Sequence, residues 1–80
     1  MPAHPGRLVW RCRRGMKEID LLLMAWLQGR YGAASAAERA TFEAFLELPD
    51  PEIAGYLLGR ATPTDPDFAA LVAQLSPTRA

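Results

Sequence analysis

Ile19-Asp20-Leu21-Leu22-Leu23-Met24-Ala25-Trp26-Leu27 places Ile19, Leu22, Leu23, Trp26 and Leu27 at i, i+3, i+4, i+7 and i+8. That spacing is one apolar stripe of an α-helix. The apolar run from Leu21 to Leu27 falls far short of the ~20 residues that a membrane helix needs. Its stripe therefore has to be buried against other parts of the same chain. The helix is expected to begin near Gly15 and to end at Gly29–Gly32, where two glycines flank Arg30-Tyr31 and can supply a left-handed stop.

Downstream, the same period recurs between recognisable start signals. Ser35-Ala36-Ala37-Glu38 is a capping box, in which the serine hydroxyl accepts from the Glu38 amide while the carboxylate reaches back. The helix it opens turns Phe42, Phe45 and Leu46 inward and stops before Pro49. Asp50-Pro51 reads as an N-cap followed by proline at the first helical position. A short helix through Ile53, Leu57 and Leu58 follows and halts around Gly59. Thr64-Asp65-Pro66-Asp67 repeats the cap-plus-proline device. Phe68, Leu71, Val72 and Leu75 form the last stripe, closed by Pro77. Residues 8–14 are compatible with a short strand or a short helix; nothing else in the chain looks extended, so a helix is preferred. The expectation is an all-α bundle of four to five short helices over about residues 8–75, with mobile tails at 1–6 and 76–80.

Eighty residues, half of them apolar and 22% charged, make one globular domain near the lower size limit for an unstapled core. Nine basic residues balance nine acidic ones, which argues against a general nucleic-acid or membrane-surface role. The placement is uneven. Arg7, Arg11, Arg13, Arg14 and Lys17 precede the first acid, Glu18, while acids dominate from Ser35 onward. Such a dipolar arrangement favours oriented docking on another protein. The lone Cys12 excludes an internal disulfide and suits a reducing compartment. Residues 1–7 carry no apolar signal core, so a cytoplasmic protein without membrane insertion is expected.

The residues offer little bond-making chemistry. His4, between prolines near the N-terminus, reads as a solvated residue, and with one cysteine it cannot complete a four-ligand zinc site. Cys12 reads as a small buried thiol, since nothing orients a base toward it. Gly29, Arg30, Tyr31 and Gly32 lack the context of a phosphate-binding loop. Glu43, Glu47 and Asp50 read as a solvated charged face. A bundle this small also has little room for a substrate pocket, on the order of 300–1,000 Å³. No catalytic or metal-binding residue is assigned. Trp10 among the arginines raises a second reading, a helical adaptor whose basic end binds RNA or an acidic protein.

The segment Trp10-Arg11-Cys12-Arg13-Arg14-Gly15-Met16-Lys17-Glu18-Ile19-Asp20 resembles the signature of the SdhE-type FAD assembly factor (succinate dehydrogenase flavinylation factor) family, with its pattern R-G-x-x-E at Arg14, Gly15 and Glu18. The similarity runs on through the leucine-rich helix, Tyr31, the Glu38, Phe42 and Leu46 helix, Asp50-Pro51 and Pro63. It departs at Tyr56, where relatives often carry tryptophan. The resemblance implies a five-helix, non-enzymatic factor that binds the flavoprotein subunit of succinate dehydrogenase, fumarate reductase or both. It would promote covalent attachment of FAD, with no tightly bound cofactor of its own and as a monomer. It also implies a partner-binding surface of Trp10, Arg11, Arg14, Gly15, Met16, Lys17, Glu18 and Asp20.

For these residues two local readings stand side by side. In one, Gly15 allows close backbone approach to the partner, Arg14 offers its planar fork, and Glu18 pairs with Arg14 one turn on. In the other, Gly15 is an N-cap with Glu18 at N3 reaching back, and Arg14 is a solvated cation.

Overall fold

The computed structural model describes residues 6–75, and these form five helices with no strand among them. They are α1 (Gly6–Arg11), α2 (Lys17–Gly29), α3 (Ala36–Phe45), α4 (Asp50–Leu57) and α5 (Pro66–Leu75), with a 3-10 turn at Tyr31–Ala33 between α2 and α3. The all-α bundle is as expected, and residues 8–14 do open with a helix. His4, Pro77 and the expected tails lie outside the described residues, apart from Gly6, which begins α1.

Local signals fix most of the element boundaries. The Ser35 amide donates to Glu38 Oε1 at 2.8 Å and the Glu38 amide to Ser35 Oγ at 3.1 Å, so both halves of the capping box are made. At the start of α5, Asp65 Oδ1 accepts from the Asp67 amide at 2.8 Å, with Pro66 in the first helical position. Helix α4 ends on Gly59 at φ +79°. The Arg60 amide there reaches the Gly55 carbonyl at 2.8 Å and the Gly59 amide reaches the Tyr56 carbonyl at 3.2 Å. That pair of bonds is a Schellman ending, which needs a left-handed residue and so favours glycine.

Three boundaries differ from the sequence reading. Helix α2 starts at Lys17 with Met16, not Gly15, in the N-cap position. It runs through Gly29 and ends on Arg30 at φ −121°, without the expected glycine stop, because the buried Tyr31 draws the chain into a 3-10 turn. Helix α4 is capped by Pro49, which puts Asp50 at the first position and Pro51 at the second. The Asp50 carboxylate faces a distant arginine instead of its own helix amides.

Helix α5 packs against α2, α3 and α4, while α1 lies on α2. Phe42, Phe45, Leu8, Leu23, Leu27, Ile53 and Cys12 are fully buried. Trp26 stacks on Phe42 with centroids 4.4 Å apart, meets Tyr31 edge-on, and donates its indole N–H to Gln74 Oε1 at 2.8 Å. An indole buried this way contributes its area without an unsatisfied donor. Tyr56 is only half-buried, and Trp10 lies outside the core altogether.

Replacing Phe42 by alanine removes one wall of the Trp26 stack and leaves a cavity, at a cost of about 3–5 kcal/mol. That is comparable to what a core of this size supplies in total. Phe42→Ala is therefore expected to lose cooperative unfolding in a urea titration followed by far-UV circular dichroism.

Candidate functional site

The segment from Trp10 to Asp20 comprises the end of α1, a non-helical link and the first turn of α2. The link holds its shape through side chains, because few backbone bonds are available to it. Gly15 has φ +81°, and the side chain of Asp20 folds back over it. Asp20 Oδ1 accepts from the Arg14 amide at 2.9 Å, and Oδ2 accepts from the Gly15 amide at 3.1 Å. Two amides ahead of a helix are thus satisfied by one carboxylate from inside its first turn. The glycine is required here by its backbone conformation. A Cβ at this position would meet open space, but an L-residue pays roughly 1–2 kcal/mol to enter the left-handed region.

Arg14 is largely buried, with its side chain 16% exposed. Its Nε donates to the Arg11 carbonyl at 2.9 Å, one terminal nitrogen donates to Asp50 Oδ1 at 2.9 Å, and the other donates to the Leu46 carbonyl. The anticipated Arg14–Glu18 pair is absent, since the chain between them is not helical and Arg14 turns toward α3 and α4. Arg11 pairs with Glu47 and also approaches the Glu43 carbonyl at 3.4 Å. Glu43 itself accepts from the Tyr31 hydroxyl at 3.2 Å. Of the three carboxylates read as a solvated face, those of Glu47 and Asp50 therefore dock the basic segment onto its own domain. Two of the five N-terminal cations are committed internally.

What remains outward is a smaller set. Trp10 is 71% exposed, with the Arg13 guanidinium 5.7 Å from its ring centroid. Arg13, Lys17 and Glu18 are exposed, and none makes an ion pair among the described residues. Glu18, at the second position of α2, caps nothing. Met16 is half-buried against the core. Trp10, Arg11, Arg13, Arg14, Leu46 and Glu47 line a shallow depression of about 330 Å³ on this face. A second open depression, of about 570 Å³, lies elsewhere, between Trp26, Gly29, Arg30, Ala34 and Glu38, so the surface is less featureless than its size suggests. Among the described residues no cluster of three or more His, Cys, Asp or Glu side chains forms a metal site, and no helix is long and apolar enough to cross a membrane.

Beneath the segment lies Cys12, fully buried as expected. Burial pushes its thiol up to about 11, against the nearby guanidinium of Arg14, which favours the thiolate. The resemblance places Asp20 on the partner-binding surface; in the structure its carboxylate turns inward onto the Arg14 and Gly15 amides. A usable signal exists: a carboxylate in the first turn of a helix that follows an Arg-Gly link.

A family model described as flavinator of succinate dehydrogenase matches residues 6–79. Among curated proteins, the FAD assembly factor SdhE of Methylococcus capsulatus is 47% identical over 70 residues, covering 88% of this chain and 84% of the relative. The protein of the same name from Xylella fastidiosa is 42% identical over 71 residues, covering 89% of this chain and 73% of the relative. That of Coxiella burnetii is 31% identical over 74 residues, covering 92% and 90%. No solved structure is a significant match.

Arg14→Ala strips donors from two carbonyls and a carboxylate and is expected to cost about 2–3 kcal/mol. Lysine will not restore this, because its ammonium cannot span three acceptors in a plane. Arg13→Ala, at an exposed position, should stay within about 0.5 kcal/mol. Urea melts of the three variants check the contrast. The raised thiol of Cys12 gives a second expectation. The folded state keeps its proton above the unfolded value of 9.0, so stability is fully present below that pH and declines as pH rises from 9.0 toward about 11. The decline is on the order of 2 kcal/mol. Cys12→Ala should flatten that part of a thermal-melt pH profile.

Proposed function

The chain belongs to the succinate dehydrogenase flavinator family, and from that premise we propose that it binds the flavoprotein subunit of succinate dehydrogenase and promotes covalent attachment of FAD to it. The chain acts as a non-enzymatic assembly factor. It brings no catalytic group and no tightly bound cofactor, and the FAD is the client's. A fumarate reductase flavoprotein, which presents the same flavin chemistry, is a second client on this reading.

The supporting observation is the division of roles within the basic segment. Arg11, Arg14 and Asp20 are spent on shape, whereas Trp10, Lys17 and Glu18 are held in solvent with no intramolecular ion pair among the described residues. A surface fixed before contact loses little conformational entropy on binding. An exposed indole beside cations is the composition of an interface anchor. Trp10 seats the client, Lys17 and Arg13 steer it, and Glu18 accepts a hydrogen bond from the client near its flavin site. The rate gain comes from holding the client in its reactive arrangement, an effect that positioning alone can supply. Each client needs only one such surface, so a monomer suffices.

In-gel flavin fluorescence of the denatured flavoprotein subunit, from cells with and without this gene, tests the reading; an unchanged signal would sink it. Glu18→Ala should lower covalent flavin incorporation about tenfold, as loss of one charge-assisted hydrogen bond would. Its melting temperature should move by less than ~4 °C, because Glu18 caps nothing.

A further inference from the structure

Asp20, expected at the partner-binding surface, has its side chain turned inward onto the link. It sits on α2 three positions past Lys17, with both carboxylate oxygens turned back over the link. Its own amide donates to the Met16 carbonyl at 2.8 Å, so the backbone of α2 and the side chain of Asp20 together close a loop around Arg14, Gly15 and Met16. Within that loop Gly15 has φ +81° and Met16 is extended at φ −115°, ψ 96°. Glycine enters the left-handed region and leaves it at almost no cost. Without a clamp the link would sample several conformations, and the direction of the Arg14 amide would vary with them.

We propose that Asp20 is a positioning residue for client binding: by accepting from the Arg14 and Gly15 amides, it locks the left-handed link that sets Arg14 inward and presents Lys17 and Glu18 outward. The two oxygens do separate work. Oδ1 fixes the residue whose guanidinium reaches Asp50, and Oδ2 fixes the glycine itself. Only a carboxylate at this distance satisfies both amides. An asparagine has one acceptor and turns an amide N–H toward the other donor. The proposal rests on the client reading above and assigns a new role within it, since Asp20 acts through the conformation of its neighbours and not by touching the client.

The test uses the full chain and the succinate dehydrogenase flavoprotein subunit, with the dissociation constant measured at 20 °C, well below unfolding. Asp20→Ala is expected to weaken binding about tenfold, the cost of re-ordering one or two freed backbone residues. Asp20→Asn, which keeps one acceptor, should fall between the two. Val72→Ala, at a half-buried position of α5, serves as a control that destabilises the bundle mildly without touching the link. Hydrogen exchange supplies the readout that overall stability does not move: the Arg14 and Gly15 amides should lose protection in Asp20→Ala while those of α3 and α5 keep theirs. Unchanged affinity in Asp20→Ala overturns the proposal, as does an equal loss in Val72→Ala, or retained protection at the two amides. Should the wild-type chain fail to bind the subunit at all, the client reading falls and the proposal falls with it. Binding by the wild type with no response to Asp20 overturns the proposal alone.

Discussion

The arrangement depends on where the charge of Arg14 goes. A guanidinium that is 16% exposed has lost most of its hydration, and a lost shell must be replaced by acceptors. The acceptors come from three separate elements: the Arg11 carbonyl at the end of α1, the Leu46 carbonyl at the end of α3, and the Asp50 carboxylate at the start of α4. Helix C-termini leave carbonyls without partners and carry a partial negative charge. A carboxylate, in turn, is favoured in the first turn of a helix. One planar cation therefore answers needs that the helices create at their ends. Lysine could not do this, because its donors do not lie in a fork.

Several other features follow from that choice. The link between α1 and α2, which carries Arg14, is not helical and bends at Gly15. Gly15 supplies the left-handed conformation there and Asp20 secures it. Cys12 is carried under the link and sealed from solvent, where its thiol is held neutral. Arg11 is brought beside α3 and meets Glu47. The N-terminal segment is thus tied to the α3–α4 corner by polar contacts, while Leu8 and Cys12 anchor it in the core. Polar ties of this kind define geometry more sharply than apolar contacts do, at the cost of sensitivity to any lost partner.

The helices were legible in the sequence to the extent that their signals are local. The Ser35–Glu38 box, the Asp65-Pro66 start and the Gly59 stop each act within a few residues, and all three are present. The stripes of α2 and α5 were equally plain, because a period needs no knowledge of the partner surface. Gly29–Gly32 misled because the burial of Tyr31 overrode a local stop signal. The site was legible as a segment but not as a mechanism. Arg14 and Asp50 are 36 positions apart, as are Arg11 and Glu47, and no window of sequence pairs them. Two acids of the solvated face, Glu47 and Asp50, are partners of the basic segment, which a net-charge argument could not reveal.

The R-G-x-x-E pattern can now be resolved into parts with different physical jobs. Its arginine points into the domain and binds helix ends. Its glycine provides a backbone conformation, with open space where a side chain would be. Only Glu18 faces outward without an internal partner. The three residues are close in sequence, yet they need not contact the same molecule. An outward carboxylate on a loose link would sample many directions, and ordering it on contact would consume part of the binding free energy. Here it stands on the first turn of a helix whose entry is held by Arg14 and Asp20, so its direction is set before any partner arrives. On the proposed reading, the inward residues contribute to recognition through the direction they give Glu18. On the same reading, a substitution at Arg14 or Gly15 disables the surface while leaving every outward side chain unchanged.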